Sequence, residues 1–364
     1  MESVHTEGFS GGGSTLALRS RLGVITLVLL CSVQFLDIVD SAIVNVALPS
    51  IQRNLHFSQQ NLQWVAGGYI LTYGGFLLLG GRLADLLGRR RMLLIGLTVF
   101  AVSSLAAGLS RSSGLLVAAR LVQGIGAALM APAALSELTT SFREGADRNT
   151  ALGLWGAISG MAAAAGVFLG GLFSQGPGWR WVFFVNPPMC VLVASGALAL
   201  LAKDRMGKRE GAVFDLHGAL LITGGMLLLV YSLVRAPIVG WGSGQTLSTL
   251  TGSAVLITVF VFNELRTRNP LVPLSIVRVK GLVAADLTQL IAFCGFFSMF
   301  FFATLYMQEI LHYSPLKAGA AYLPVTVGFA VAGGLASQLV TRIGTRPVVV
   351  AGCLIAGAGI YYVS

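Results

Sequence analysis

Charge is scarce in this sequence. Only 10% of its 364 residues are Asp, Glu, Lys or Arg, against about 25% in soluble globular domains. Too few charged side chains remain to cover a water-facing surface. Acids are the scarcer sign: 14 Asp and Glu stand against 24 Lys and Arg, for a net charge of +10. The basic residues are dispersed among loops instead of lying along one stripe, which excludes a nucleic-acid surface. Cysteine is rare as well. Cys31, Cys190, Cys294 and Cys353 fall inside apolar stretches with no pairing or metal spacing. They read as small buried hydrophobes. No phosphate-cradling loop, zinc spacing or serine-nucleophile motif is present. Gly124-Ile125-Gly126 lies in an apolar run and does not follow a strand. These absences point away from an enzyme, a metal site and an ATP site. Residues 1–23 are polar, carry a Gly11-Gly12-Gly13 run and lack the early apolar core of a signal peptide. They read as a disordered cytoplasmic tail.

What the sequence does have is apolar length. Apolar residues make up 55% of it, and an apolar run of about 20 residues crosses a bilayer as a helix. Eleven such runs occur, at approximately 23–48, 62–80, 92–109, 114–136, 150–174, 181–202, 216–235, 246–264, 282–309, 318–340 and 347–364. The expectation is an all-α integral membrane protein. With the N-terminal tail inside, eighteen of the 24 Lys and Arg residues fall in cytoplasmic segments. Arg53, Arg111, Arg180, Arg235 and Lys317 fall outside, and Arg120 falls within a span. That asymmetry fixes the expected orientation, because cytoplasmic loops carry the excess of Lys and Arg. Trp64, Trp179, Trp181 and Trp241 lie at or near outer span ends, where indoles favour the interface.

An internal repeat recurs at one offset. Gln52-x-x-Leu55-His56-Phe57-Ser58 returns as Gln308-x-x-Leu311-His312-Tyr313-Ser314. Leu83, Gly88, Arg90 and Gly96 return as Leu339, Gly344, Arg346 and Gly352. Both matches are 256 residues apart (308 minus 52, and 344 minus 88). Many transporter folds are built from internal repeats. The expected organisation is a tail over 1–22, a six-helix bundle over 23–203, a linker with a two-helix insert over 204–281, and three helices of a second bundle over 282–364. On a six-plus-two-plus-six plan three spans are missing. Transport by this chain alone would then be weak or absent, and the competing expectation is a non-transporting remnant or membrane interaction protein.

Four stretches carry ionisable or small residues at telling places. Gly80-Gly81-Arg82-Leu83-Ala84-Asp85-Leu86-Leu87-Gly88-Arg89-Arg90-Arg91 joins the second and third spans. Glycine permits the close approach a short loop needs. In the first span Asp37 and Asp40 are three apart, hence on one helical face. Ionisable residues at membrane depth are costly, face a cavity, and mark ion or proton paths. In the fourth span Arg120 cannot deprotonate and needs a partner, for which Asp37 or Asp40 is the natural candidate. The fifth span holds Gly156-x-x-x-Gly160 and Gly166-x-x-x-Gly170-Gly171, a spacing that lets helices pack closely in lipid.

These same stretches resemble the major facilitator superfamily. Gly81-x-Leu83-Ala84-Asp85-x-x-Gly88-Arg89-Arg90 is similar to the family's loop between helices two and three, with Leu86 where a basic residue is frequent. The resemblance implies a cytoplasmic charge network, formed by Asp85 and the loop arginines, that gates the access states. Asp40 through Pro49 resembles the first-helix motif of the drug:proton antiporters, with Ala42 in place of threonine. Arg120-Leu121-Val122-Gln123-Gly124 is similar to the helix-four motif, whose arginine is implicated in proton transfer. Gly166, Gly170 and Gly171 resemble the antiporter motif, although Val167 stands where that motif has proline and Ala162 where it starts with glycine. Trp179-Arg180-Trp181 through Asn186-Pro187, Asp215-Leu216-His217-Gly218, and Asn269-Pro270-Leu271-Val272-Pro273-Leu274 resemble the fourteen-helix branch. The function implied is proton-coupled efflux of amphipathic small molecules from the cell by alternating access. Asp40, Asp37 and Arg120 would be the coupling residues, and Asp40 would rank first because it matches the motif. The implied partners are the substrate, protons and the lipid bilayer, with the proton gradient in place of any cofactor.

Overall fold

The computed structural model describes residues 16–204, 215–267, 270–272 and 274–363. Most of the expected tail, the linker from Arg205 to Phe214, and Asn269 and Pro273 of the last motif lie outside the described residues.

Every one of the eleven apolar runs coincides with a helix. In chain order these are α1 (Arg21–Leu55), α2 (Gln59–Leu87), α3 (Arg89–Gly108), α4 (Ser113–Ser141), α5 (Ala146–Gln175), α6 (Trp181–Phe184) and α7 (Asn186–Leu200). Then follow α8 (Leu216–Val239), α9 (Gly244–Arg266), α10 (Leu282–Leu305), α11 (Pro315–Ala321), α12 (Leu323–Ile343) and α13 (Thr345–Val363). Ten helical stretches among the described residues are long and apolar enough to span a membrane. The expected run at 282–309 is the one not counted, contributing a shorter apolar helix over Leu282–Phe296; two of the ten are split, α6 with α7 and α11 with α12. Pro187 in the first turn of α7 and Pro324 in the first turn of α12 explain both splits. Proline fits the first turn of a helix but cannot continue one.

Starts and stops follow local chemistry. Ser20, Ser58, Ser112, Ser243 and Ser314 cap α1, α2, α4, α9 and α11, each hydroxyl accepting from a backbone N–H three residues on. Asp215 does the same for α8. Such caps satisfy donors that the helix cannot pair itself. Gly88 and Gly344 end α2 and α12 with φ of 106° and 86°, values open to glycine and strained for other residues.

The helices pack in lipid by close fit, since lipid tails are as apolar as Leu and supply no net drive. α4 lies against α2 and α3, α1 against α5, and α7 against α3 and α1. α8 pairs with α9 and leans on α2, while α11 and α12 lie along α5. Two buried apolar clusters form around α1. One holds Leu30, Leu93, Leu97 and Phe142, the other Ile43, Ile51, Leu116 and Phe183. Asp37, Asp40 and Arg120 sit where these clusters meet.

Candidate ion-coupling site

α1 carries Asp37 and Asp40 inward on one face, 3% and 0% exposed. α4 delivers Arg120 to meet them, 1% exposed. Its Nη1 donates to Asp40 Oδ2 at 2.5 Å and to Gln123 Oε1 at 2.8 Å, and its Nε donates to the Val65 carbonyl at 2.9 Å. Asp40 Oδ1 accepts from Gln123 Nε2 at 2.9 Å and from Asn186 Nδ2 at 2.6 Å. Asn186 also donates to Ser104 Oγ at 3.0 Å, and Ser104 donates to the Phe183 carbonyl at 3.0 Å. The Asp40 carboxylate therefore ties α1 to α4 and α7. A buried ion pair offsets its desolvation only when further hydrogen bonds satisfy the remaining lone pairs. Here Gln123 and Asn186 supply them.

Asp37 sits one turn away with different company. The Tyr69 hydroxyl of α2 donates to its Oδ1. Tyr73, one turn along α2, stacks on Tyr69 with centroids 5.9 Å apart. The Arg120 guanidinium lies 4.3 Å above the Tyr69 ring, within the range of a cation–π contact. One tyrosine thus touches both sites, its hydroxyl on Asp37 and its ring under Arg120.

Of the two acids open as partners for Arg120 in the sequence, Asp40 takes the ion pair. Gln123 lies inside the quoted helix-four motif and Asn186 inside the Trp179 to Pro187 stretch, yet neither stands out there. Tyr69 and Ser104 had no motif to mark them. A polar, uncharged residue one helical turn from Arg120 is the signal that could have marked Gln123.

The antiporter glycines meet the same face of the structure. A Cβ on Gly166 would come within 2.6 Å of the Ala42 Cβ and 2.9 Å of the Val39 carbonyl. One on Gly170 would meet the Ile43 carbonyl at 2.8 Å. Only glycine lets α5 lie this close to the turn of α1 that carries Asp40. Gly171 is buried beside them.

The loop of Gly81, Asp85, Gly88, Arg89 and Arg90 is built differently from expectation. Asp85 is exposed on the last turn of α2, and among the described residues it forms no ion pair with the arginines of its own loop. The carboxylate that organises the turn is Asp204. It accepts from the backbone N–H groups of Arg90 at 3.3 Å and Arg91 at 2.9 Å, at the N-terminus of α3, where anions are favoured. The arginines reach away from Asp85. Arg90 donates to the carbonyls of Ala197 and Leu198 at the end of α7, at 3.3 and 2.6 Å, and Arg89 donates to Thr140 Oγ1 at 2.8 Å. The physical reason is geometric: the arginines open α3 and reach the end of α7 and the Thr140 hydroxyl of α4, whereas Asp85 faces the two-helix insert. With Arg82 and Gly81 it lines a cavity of about 290 Å³ shared with Pro132, Ile222, Phe260 and Val272.

The family model described as Major Facilitator Superfamily matches residues 30–364. The chain is 40% identical over 338 residues to the puromycin resistance protein pur8 of Streptomyces alboniger, covering 92% of this chain and 66% of that protein. It is 37% identical to the cephamycin export protein CmcT of Amycolatopsis lactamdurans, over 97% of this chain and 74% of that protein. It is 36% identical to the multidrug resistance protein Stp of Mycobacterium tuberculosis (strain ATCC 25618 / H37Rv), over 92% and 62%. The chain thus spans about two thirds of the length of these curated relatives. Two solved structures share the fold. The proton:xylose symporter XylE aligns with a TM-score of 0.58 at 16% identity, covering 89% of this chain and 70% of the other. The peptide transporter POT aligns with a TM-score of 0.51 at 15% identity, covering 91% and 72%.

Proposed function

The chain belongs to the Major Facilitator Superfamily, and from that premise we propose that it serves proton-coupled efflux of amphipathic small molecules across the plasma membrane. The buried Asp40–Arg120 pair carries this reading. Burying two charges at membrane depth costs several kcal/mol per ion before their attraction is counted (about that much). A carboxylate kept there at such cost marks an ion or proton path. The names of the relatives, resistance and export proteins for puromycin, cephamycin and several drugs, support antibiotic-like substrates.

The mechanism follows from what the pair can do. While Arg120 sits on Asp40, α1, α4 and α7 are held together. When the pair separates, the acids at this site gain or lose a proton, and the bundle exchanges one access state for the other. The Gly88 turn, with Asp204, Arg89 and Arg90, and the exposed Asp85 form the second control point. Breaking or making its bonds accompanies movement at the cytoplasmic ends. The tail lies in the cytoplasm on this reading, residues 23–203 act as one bundle, 204–281 as linker and insert, and 282–364 as part of the second bundle. No cofactor or ATP site is needed, because the proton gradient supplies the energy.

The test is accumulation of a fluorescent amphipathic cation in cells lacking their own efflux pumps. Expression of a version as long as its relatives should lower accumulation, and collapsing the proton gradient should restore it. Asp40→Asn should remove the gradient-driven part while partly sparing downhill exchange. Accumulation indifferent to expression would overturn the reading.

A further inference from the structure

Asp37 and Asp40 are the same residue type, one helical turn apart and equally buried, yet their surroundings differ in kind. Asp40 receives a cation and two amide donors, from Arg120, Gln123 and Asn186. Protonating it while the pair is closed would leave the Arg120 guanidinium, which keeps its proton, as an uncompensated buried cation. Asp37 receives a neutral phenol. The titratable and charged groups that face it are Tyr69 and Tyr73 of α2, Asp40 of its own helix and Arg120 of α4. Of these only Arg120 is a cation, and its guanidinium is engaged by Asp40, Gln123 and the Val65 carbonyl. The nearest formal charge on the same helix is the like charge of Asp40. A carboxylate buried without a cation is far costlier than the neutral acid.

From this contrast we infer that Asp37, and not the Arg120-paired Asp40, is the carboxyl group that binds and releases the proton in the conformation where the pair is closed. The inference rests on the proton-coupled reading above and reverses the ranking that the family motif implies. The proton comes from water and joins an Asp37 oxygen to give the neutral acid. It returns to water on release, so no other reactant is required. Tyr73, half-buried beside Tyr69, presents a second phenol to the same acid. Tyr69 makes the coupling mechanical. Its hydroxyl must adjust when Asp37 changes from acceptor to neutral acid, and its ring is the surface on which Arg120 rests. Asp37 is thereby the proton site, and Tyr69 a positioning residue that passes its state to the Asp40–Arg120 pair.

The test reads the proton directly and needs no transport. The purified 364-residue protein in lipid nanodiscs is stepped between two pH values while infrared difference spectra record the C=O stretch of protonated carboxyl groups. Subtracting the Asp37→Asn spectrum from wild type should leave one carboxyl band in the range of a buried acid. Subtracting Asp40→Asn should leave no second carboxyl band, only a displacement of the Asp37 band as Arg120 loses its partner. Tyr69→Phe should keep the band and move it to higher frequency, because the carbonyl loses its donor. Circular dichroism on each variant confirms that the helices persist. Should Asp40→Asn fail to fold, the wild-type-minus-Asp37→Asn band and its shift in Tyr69→Phe still decide the matter. A band that survives Asp37→Asn, or one that ignores Tyr69→Phe, overturns the assignment. An Asp37 band beside a version as long as its relatives that exports nothing would leave the proton site standing and remove the efflux reading instead.

Discussion

Around His56 and around His312 the chain turns in the same way. These are the two non-glycine residues with positive φ among those described, at 53° and 50°, and they lie 256 residues apart (312 minus 56). Each is followed two residues later by a serine, Ser58 or Ser314, that caps the next helix. At the same offset Gly88 and Gly344 end the helices that follow. The repeat visible in the letters is therefore also a repeat of backbone geometry. The chemistry at that offset is opposite. Asp37 and Asp40 of α1 correspond to Phe293 and Phe296 of α10, and Tyr69 and Tyr73 of α2 correspond to Val325 and Phe329 of α12. Where one copy has carboxylates and phenols, the other has Phe296 edge-on to Phe329 at 5.3 Å and to Phe293 at 6.5 Å. Turns and caps are local and survive divergence. Side chains between helices are free to part ways, so at these four positions carboxylates and phenols stand in one copy and apolar side chains in the other.

The comparison breaks most visibly at its charged end. Arg120→Leu leaves Asp40 buried without its cation and should cost about 3–5 kcal/mol of stability. Phe296→Leu, in the aromatic counterpart, should stay below about 1.5 kcal/mol. Unfolding in mixed micelles measures both, and equal losses would mean that the two copies are energetically alike. A pair of glycines sharpens the contrast. A Cβ on Gly96 would lie 2.7 Å from the Met130 amide nitrogen and 2.8 Å from the Gly126 carbonyl, whereas at its counterpart Gly352 nothing stands within 4 Å. Gly96→Ala should therefore destabilise by roughly 1–3 kcal/mol. Gly352→Ala should be neutral or stabilise by up to about 1 kcal/mol through helix propensity.

Smaller effects should show the two copies agreeing. Valine at position 56 or 312 must adopt a left-handed conformation, at a cost of about 1–2 kcal/mol. We expect His56→Val and His312→Val to lower the melting temperature alike, and His56→Gly and His312→Gly to leave it nearly unchanged. A clear difference between the two valine variants would limit the repeat to sequence. Smallest is Asp204→Ala, which removes the acceptor for the Arg90 and Arg91 amides. A lost cap costs about 1 kcal/mol. Hydrogen exchange should quicken at those two amides, while the amides that open α13 remain as they were.

Much of this was legible in the residues. All eleven apolar runs became helices, because a span must satisfy every backbone group internally and only apolar length permits that. Asp40 and Arg120 stood out because formal charge inside an apolar run is expensive enough to demand a reason. Gln123, Asn186, Ser104 and Tyr69 were harder to see. Uncharged polar residues recur along membrane helices, and which of them meet depends on how α1, α2, α4 and α7 are rotated. The letters do not state that rotation. Asp204 was hidden for another reason. It looks like one more polar residue of a linker, and its role exists only because α7 ends beside the start of α3. Asp85 shows the converse, a residue that the motif marks and that the structure leaves exposed.

α5 has small residues on two sides. Gly166 and Gly170 receive α1. Gly153 receives the backbone and Ser337 side of α12, and Gly333 of α12 faces back onto Ala157 with a would-be Cβ only 2.7 Å from that methyl. Gly319 at the end of α11 approaches the backbone of Phe168 in the same manner. Where bulky side chains interlock, one helix cannot shift along another without climbing out of its notches. Where backbones meet through glycine, alanine and serine, the surfaces are nearly smooth. α5 is thus shaped as a bearing with one stop: a rod with smooth flats toward α1 and α12, caught at Gly160, where the Phe329 ring of α12 seats in the notch.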